Sequence, residues 1–238
     1  MIISVASGKG GTGKTTISTN LALSLDENVK LLDCDVEEPN AHLFIKPDIH
    51  TEEIVYTFIP EIDESRCNGC RKCAEICRFN ALTVVGEKVL VFPELCHSCG
   101  GCTAVCEENA IREGTRELGI IESGTRDSLT FISGTMRVGE AMSPPLIKSV
   151  RNKTDDSDLV IIDAPPGTSC PVIAAMKNTD FILLVTEPTP FGLHDLILAA
   201  EAVKELEIPC GIVINRSDIG DRSVQEYALQ EDIPLSLI

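Results

Sequence analysis

The sequence predicts an α/β fold, a mostly parallel sheet with helices on both faces, interrupted by a small α+β insert. Three observations carry this. Short, continuously apolar runs at residues 2–7, 29–33, 129–133, 159–163, 181–186 and 211–215 have the character of parallel strands buried on both faces. Helical stretches alternate with them, as they do where crossovers wind a sheet. The rhythm then breaks between about residue 60 and residue 113, where eight of the 11 cysteines gather.

Each element has its own signal. The run at 2–7 ends in a glycine-rich stretch and leads into a helical pattern with Ile17, Leu21 and Leu25 on one face. The clearest later helix is 193–206, where Leu193, Leu196, Ile197, Ala200 and Val203 share a face. Residues 233–238 read as a final strand. A chain of 238 residues has room for one large α/β domain carrying a smaller module.

Composition narrows the partners. With 20 Lys and Arg against 37 Asp and Glu, the net charge is −17, which disfavours both a phosphate backbone and an anionic bilayer. Tryptophan is absent and aromatics are 4%, so platforms for stacking bases are scarce. The apolar runs fall far short of the roughly 20 residues of a membrane-spanning helix. Met1 leads straight into an apolar run with no charged leader. The expectation is a cytoplasmic chain with no nucleic-acid partner and no stable membrane association.

Residues 8–15, Gly-Lys-Gly-Gly-Thr-Gly-Lys-Thr, fit the P-loop pattern and lie between a strand and a helix, where the pattern works. Gly8, Gly10, Gly11, Thr12 and Gly13 let the backbone wrap phosphates with its N–H groups turned inward, at the positive end of the following helix. Lys14 is placed to reach the β- and γ-phosphates, Thr15 to hold Mg²⁺, and Thr16 to complete the first helical turn around the nucleotide. Asp163 closes an apolar strand, the position of a Walker B carboxylate that holds Mg²⁺ through water. Asp33 and Asp35 follow the strand 29–33 and belong at the same sheet edge, where ligands collect. Either is a candidate to orient the attacking water, or a loop carboxylate balancing the lysines. Asn215 ends another strand and is a candidate reader of the base.

Lys9 is the unusual residue. A second lysine inside the loop, in Lys9-Gly10-Gly11-Thr12-Gly13-Lys14-Thr15, resembles the deviant Walker A signature of the MinD/ParA/Mrp group of P-loop ATPases. The stretches Leu32-Asp33-Cys34-Asp35, Ile161-Ile162-Asp163-Ala164-Pro165-Pro166-Gly167 and Thr186-Glu187-Pro188 are similar to the same group. The resemblance implies a slow, partner-stimulated ATPase in which two subunits sandwich two ATP molecules. It further implies that Lys9 crosses to the partner's phosphates and that Asp35 positions the hydrolytic water. A cation that meets developing phosphate charge only in the dimer makes hydrolysis conditional on association. Relatives of this kind continue beyond 233–238 with a further loop and helix, which implies a missing part of the adenine pocket or sheet edge.

The cysteines form an internal repeat of period 29: Cys67, Cys70, Cys73 and Cys77 map onto Cys96, Cys99, Cys102 and Cys106. Each run reads C-x₂-C-x₂-C-x₃-C, the spacing of bacterial ferredoxins that bind [4Fe–4S] clusters. Three thiolates converge on one cluster and the fourth points at the other. Cys67, Cys70, Cys73 and Cys106 are therefore assigned to one cluster, and Cys77, Cys96, Cys99 and Cys102 to the second. Zinc sites favour two separated C-x₂-C pairs per ion, so the cubane is preferred. Arg78 and Glu107 stand where ferredoxin runs place proline, which loosens the turn and removes no ligand. Cys34, Cys170 and Cys210 fall outside the repeat. His97 lies inside the second run, whose ligand positions are already filled by cysteine.

The domains expected are an ATPase domain at 1–60 and 114–238 and an inserted bacterial-ferredoxin-like module at 61–113. The chain as a whole resembles MinD-superfamily ATPases with an inserted ferredoxin domain. It implies ATP or ADP, Mg²⁺ and two [4Fe–4S] clusters as cofactors, with a homodimer and a redox or metallocofactor-containing protein as partners. Two functions fit: a nucleotide-dependent dimer that gates electron transfer from the clusters to a partner metalloprotein, or an ATPase that assembles or carries iron–sulfur or other metallocofactors. Four-thiolate ligation favours clusters that stay in place, hence electron transfer. A MinD-like positioning ATPase is the least favoured reading, given the acidic charge and the lack of a basic amphipathic tail.

Overall fold

Apolar runs without alternation become the inner strands of a sheet in a computed structural model that describes residues 1–25, 28–154 and 159–237. The chain begins β1 (Ile2–Ala6), α1 (Lys14–Ser24), β2 (Val29–Asp33), α2 (Ala41–Ile45) and β3 (Asp48–Ile62). It continues α3 (Lys72–Ile76), β4 (Leu82–Val85), β5 (Lys88–Val91), α4 (Gly101–Ala104), β6 (Ile111–Arg126) and β7 (Leu129–Met136). It closes α5 (Pro144–Arg151), β8 (Leu159–Asp163), α6 (Cys170–Met176), β9 (Phe181–Thr186), α7 (Pro190–Glu205), β10 (Cys210–Ile214), α8 (Ser223–Gln230) and β11 (Leu235–Leu237). Of the strand read at 233–238, residues 235–237 are extended and residue 238 lies outside the described residues.

Among the described residues the large sheet runs β11-β10-β9-β1-β8-β2-β7-β6-β3. From β11 to β7 every neighbouring pair is parallel. Burial on both faces is what excludes polar alternation here: Val5, Leu31, Leu32, Ile161, Ile162, Ile182 and Leu184 are all buried. On one face Val5, Leu31, Phe131, Ile161 and Val185 form a cluster against which Ile17 and Leu21 of α1 pack. Removing one of these large side chains, as in Leu31→Ala, costs about 2–5 kcal/mol through lost transfer energy and a residual cavity.

Close contacts divide the chain into two compact units. The first comprises residues 1–53, 120–135 and 143–238; the second comprises residues 54–119 and 136–142. The cysteine segment at 61–113 lies inside the second unit. Its edges are wider because β3 and β6 are long strands of 15 and 16 residues, not connecting loops. Residues 136–142 join the second unit through side-chain and backbone bonds to β6. Arg116 donates to Glu140 at 2.8 Å, a buried ion pair, and the Arg137 amide donates to the Leu118 carbonyl at 2.9 Å.

The second unit repeats itself in backbone as well as in sequence. Gly69 and Ser98, Arg71 and Gly100, and Asn80 and Asn109 are each 29 residues apart, and all six have positive φ. Two loops with the same left-handed turns therefore present the two cysteine runs in the same way. β4 and β5 pair as an antiparallel hairpin, and the small core combines Leu82 and Ile111 with Cys73 and Cys102. Ile62, Val89 and Val91 pack against it. Thiols thus supply part of the apolar interior of a unit too small for a large hydrocarbon core.

Candidate nucleotide site and cysteine pockets

The loop at residues 8–15 connects β1 to α1, so it lies at the carboxyl edge of the parallel sheet. Gly13 precedes α1 with φ 91° and ψ 17°, a left-handed conformation that turns the chain into the helix. No side chain fits there, since a Cβ would stand 2.2 Å from Asn215 Nδ2. Asn215, just past β10, donates through that Nδ2 to the Thr12 carbonyl at 2.8 Å. The candidate base reader is thereby attached to the phosphate loop. Thr15 is half-buried and Thr16 exposed in the first turn of α1, while Gly10 and Gly11 are exposed at the loop tip.

Lys14 is buried and its Nζ lies 2.8 Å from Asp163 Oδ1. Asp163 ends β8 with no exposed surface, and its Oδ2 has no hydrogen-bond partner among the described residues. A buried carboxylate oxygen left unmatched beside a phosphate loop fits a hydrated divalent cation. Sheet register sets Asp33 of β2 directly beside Asp163 of β8. The Asp33 carboxylate accepts from the Ala41 amide at 3.0 Å and the Asp35 amide at 3.2 Å. Burial, reinforced by the charge of Asp163, pushes Asp33 up to about 7. Asp35 is less enclosed and is pushed up to about 6, chiefly by burial, with Asp163, Glu38 and Glu37 adding to it and Lys14 opposing it. The site so gathers three carboxylates around one buried ammonium. Added positive charge, of the kind a divalent cation supplies, would relieve that excess.

Lys9 points elsewhere: its Nζ is 2.5 Å from Glu187 Oε1. Glu187 follows β9, and its other oxygen, Oε2, lies 3.3 Å from Arg216 Nη1. Glu187 stands in the motif Thr186-Glu187-Pro188, which carries no local sign of its ion partners. Its partners lie 178 and 29 residues away, a pairing visible only once β10, β9 and β1 are neighbours.

Cys67, Cys70, Cys73 and Cys106 line one pocket of the second unit, three thiols from the first run and one from the second. Cys96 and Cys102 of the other set are buried, and Cys96 contributes to raising the Cys102 thiol after burial itself. Cys77 packs on the same core, and Cys99 is exposed. Among the described residues no three His, Cys, Asp or Glu side chains are grouped to hold a single metal ion. A cubane attaches each thiolate to a different iron, and four thiols around one pocket are the donor set that such a cluster takes. The surroundings of the two sets differ at equivalent places. Asn68 donates to Glu108 at 3.0 Å beside the first, whereas His97 stacks on Phe79 with ring centroids 3.5 Å apart beside the second. Cys34, near the phosphate edge, is wholly buried, and its thiol is pushed far up by burial and by Asp33. It is an inert core thiol.

These features meet a match along nearly the whole chain. Residues 3–235 match the family model described as the CobQ/CobB/MinD/ParA nucleotide binding domain. The chain belongs to this family. Among relatives, the uncharacterized protein MJ0579 of Methanocaldococcus jannaschii is 34% identical over 229 residues, covering 94% of this chain and 83% of the relative. The uncharacterized ATP-binding protein MJ0547 of the same organism is 52% identical over 219 residues, covering 90% of this chain and 63% of the relative. A cytosolic Fe–S cluster assembly factor, the Nubp2 homolog of Anopheles gambiae, is 28% identical over 225 residues, covering 91% and 68%. The fold is that of the septum site-determining protein MinD of Pyrococcus horikoshii, solved with Mg-ADP. That structure has a TM-score of 0.58 at 20% identity and covers 100% of this chain and 80% of that one. Among the described residues, no helix is long and apolar enough to cross a membrane.

Proposed function

We propose that the chain binds and hydrolyses Mg-ATP in a nucleotide-dependent homodimer and holds two [4Fe–4S] clusters whose electron transfer to a partner metalloprotein the dimer gates. The observation that carries this reading is the pocket lined by Cys67, Cys70, Cys73 and Cys106 in a chain that also positions Lys14 on Asp163. In this reading residues 1–60 and 114–238 form the ATPase domain and 61–113 the cluster module. The loop glycines, Thr12, Lys14, Thr15 and Thr16 wrap the phosphates, and Asn215 reads the base. Thr15 and Asp163 hold Mg²⁺, Lys14 neutralises phosphate charge, and Asp35 orients the attacking water. Cys67, Cys70, Cys73 and Cys106 hold one cluster, and Cys77, Cys96, Cys99 and Cys102 the other. Bound clusters supply one-electron transfer.

Assembly or delivery of iron–sulfur clusters is the second reading, supported by the Nubp2 relatives at 28% identity. An anaerobic EPR-monitored redox titration, with and without Mg-ATP, separates the two. Two [4Fe–4S] signals whose potentials move with nucleotide support gated electron transfer. Potentials that ignore nucleotide, together with cluster transfer to an apo acceptor protein, replace it with the assembly reading.

A further inference from the structure

The P-loop holds two lysines, of which Lys14 pairs with Asp163 and Lys9 with Glu187. Lys9 is held by Glu187, which directly follows β9, the middle strand of the three neighbours β10, β9 and β1. One Glu187 oxygen takes Lys9 from the loop after β1, and the other takes Arg216 from the loop after β10. The Lys9 pair is drawn tight at 2.5 Å and its carboxylate is largely covered, whereas Arg216 is more than half exposed. Lys9 holds Glu187 well below the usual carboxylate range, mainly by that hydrogen bond.

The ground on which Glu187 stands is firm. Thr186 Oγ1 donates to the Gly192 carbonyl at 3.0 Å, and the Gly192 amide donates to Thr189 Oγ1 at 3.0 Å, so the start of α7 is tied to the end of β9. The phosphate loop is pressed on α7, since a Cβ at Gly8 would stand 2.0 Å from the Asp195 carbonyl oxygen. The Asp221 amide donates to the Pro188 carbonyl at 3.2 Å, which ties the loop after β10 to the same segment. Glu187 is therefore a fixed anion between two loops that converge on the nucleotide site.

We infer that Glu187 is a positioning residue that competes with phosphate for Lys9: the Lys9 ammonium must leave Glu187 to reach a nucleotide, so the carboxylate sets how tightly nucleotide is held. The inference rests on the proposed nucleotide site and adds a residue to it. It holds whether Lys9 serves the phosphates of its own subunit or those of a partner. A lysine carries one compact charge on a single flexible stem, so an ammonium held in contact with a carboxylate is not in contact with a phosphate, and the carboxylate repels that anion. Removing the negative charge frees Lys9 and leaves Arg216 in water, where it loses little.

The test is a double-mutant cycle on the full chain with its clusters, using wild type, Glu187→Gln, Lys9→Ala and the double variant. Dissociation constants are measured for Mg-ADP and for a non-hydrolysable Mg-ATP analogue, with KM and kcat for ATP. The expected result is that Glu187→Gln tightens binding of the ATP analogue and lowers KM by roughly five- to tenfold, the scale of one charge-assisted contact. In the Lys9→Ala background the same substitution changes neither. Glu187→Asp, charged but shorter by a methylene, falls between wild type and Glu187→Gln. Circular dichroism and melting checks that each variant is folded. Equal effects of Glu187→Gln with and without Lys9, or no effect in either, overturn the inference and leave the proposed nucleotide site standing. A wild-type chain that binds no nucleotide overturns both.

Discussion

Asp33 and Asp163 stand side by side in register on β2 and β8, both fully buried, with the Lys14 ammonium 2.8 Å from the second of them. Two carboxylates and one cation leave a buried excess of negative charge. The pair is the electrostatic centre of the phosphate edge, and most of the predictions for this unit follow from it.

The first concerns pH and stability without nucleotide. Asp33 is pushed up to about 7 and Asp35 to about 6 from ordinary values near 3.8. A raised carboxylate binds more protons folded than unfolded, so its ionisation opposes folding. The cost is absent below about pH 4, grows as pH rises toward 6–7, and is constant above. Thermal melts of the nucleotide-free chain should therefore show falling stability across that window. Saturating Mg²⁺ without nucleotide should flatten the fall, because a cation beside these carboxylates lowers both values. A flat profile without ligand would show that the two aspartates ionise as they do in water.

The same shift predicts the pH dependence of hydrolysis. If Asp35 orients water as a carboxylate, the rate rises with pH as that carboxyl, pushed up to about 6 in the nucleotide-free chain, ionises. Asp35→Asn should remove both the rate and the inflection. A pH–rate profile of kcat from pH 5 to 8 reads this directly.

Removing Lys14 has two effects. Lys14→Ala should abolish nucleotide binding, and it strands Asp163 as a buried charge without its partner, a loss of about 3–5 kcal/mol. Asp163→Asn added to Lys14→Ala should recover part of that stability and none of the binding. Denaturant unfolding and nucleotide titration of the single and double variants measure both.

Much of this unit is legible in the sequence, and the reason is local. The loop at 8–15, Asp163 at the end of an apolar run, and the strands at 29–33 and 159–163 depend on neighbours in the chain. What escaped reading depends on distant ones. Glu187 gains its meaning from Lys9 and Arg216, and Gly13 is closed to a side chain by Asn215, some 200 residues away. β3 and β6 are likewise not legible as strands from the sequence. They open on Asp-Ile-His-Thr-Glu-Glu and Ile-Arg-Glu-Gly-Thr-Arg, polar stretches without the continuous apolar character of the inner strands, and the more apolar part of β3, residues 54–59, runs into the break of rhythm before the cysteines. The ion pair of Arg116 with Glu140, which joins residues 136–142 to the second unit, leaves no local mark either.

Gly13→Ala tests the attachment of Asn215 to the phosphate loop. The new methyl meets Asn215 Nδ2, and the left-handed backbone at φ 91° costs about 1–2 kcal/mol for any residue with a Cβ. Nucleotide binding should be lost. Asn215→Ala in the same chain removes the clash and retains the strain, so binding should return only in part.

The crossed assignment of the cysteines can be tested by counting. Cys70→Ser and Cys106→Ser should each remove one cluster, and so should the two together, since both line one pocket. Cys70→Ser with Cys99→Ser should remove two. Iron and acid-labile sulfide per chain after anaerobic reconstitution distinguish these outcomes, and equal losses in both double variants would refute the crossing.

Because one pocket borrows its fourth wall from the other repeat, the first 29-residue run does not close its pocket by itself. A duplication built this way is interlocked. Excising the second copy would open the pocket that Cys67, Cys70 and Cys73 line, so the two runs cannot be shortened to one without losing that enclosure.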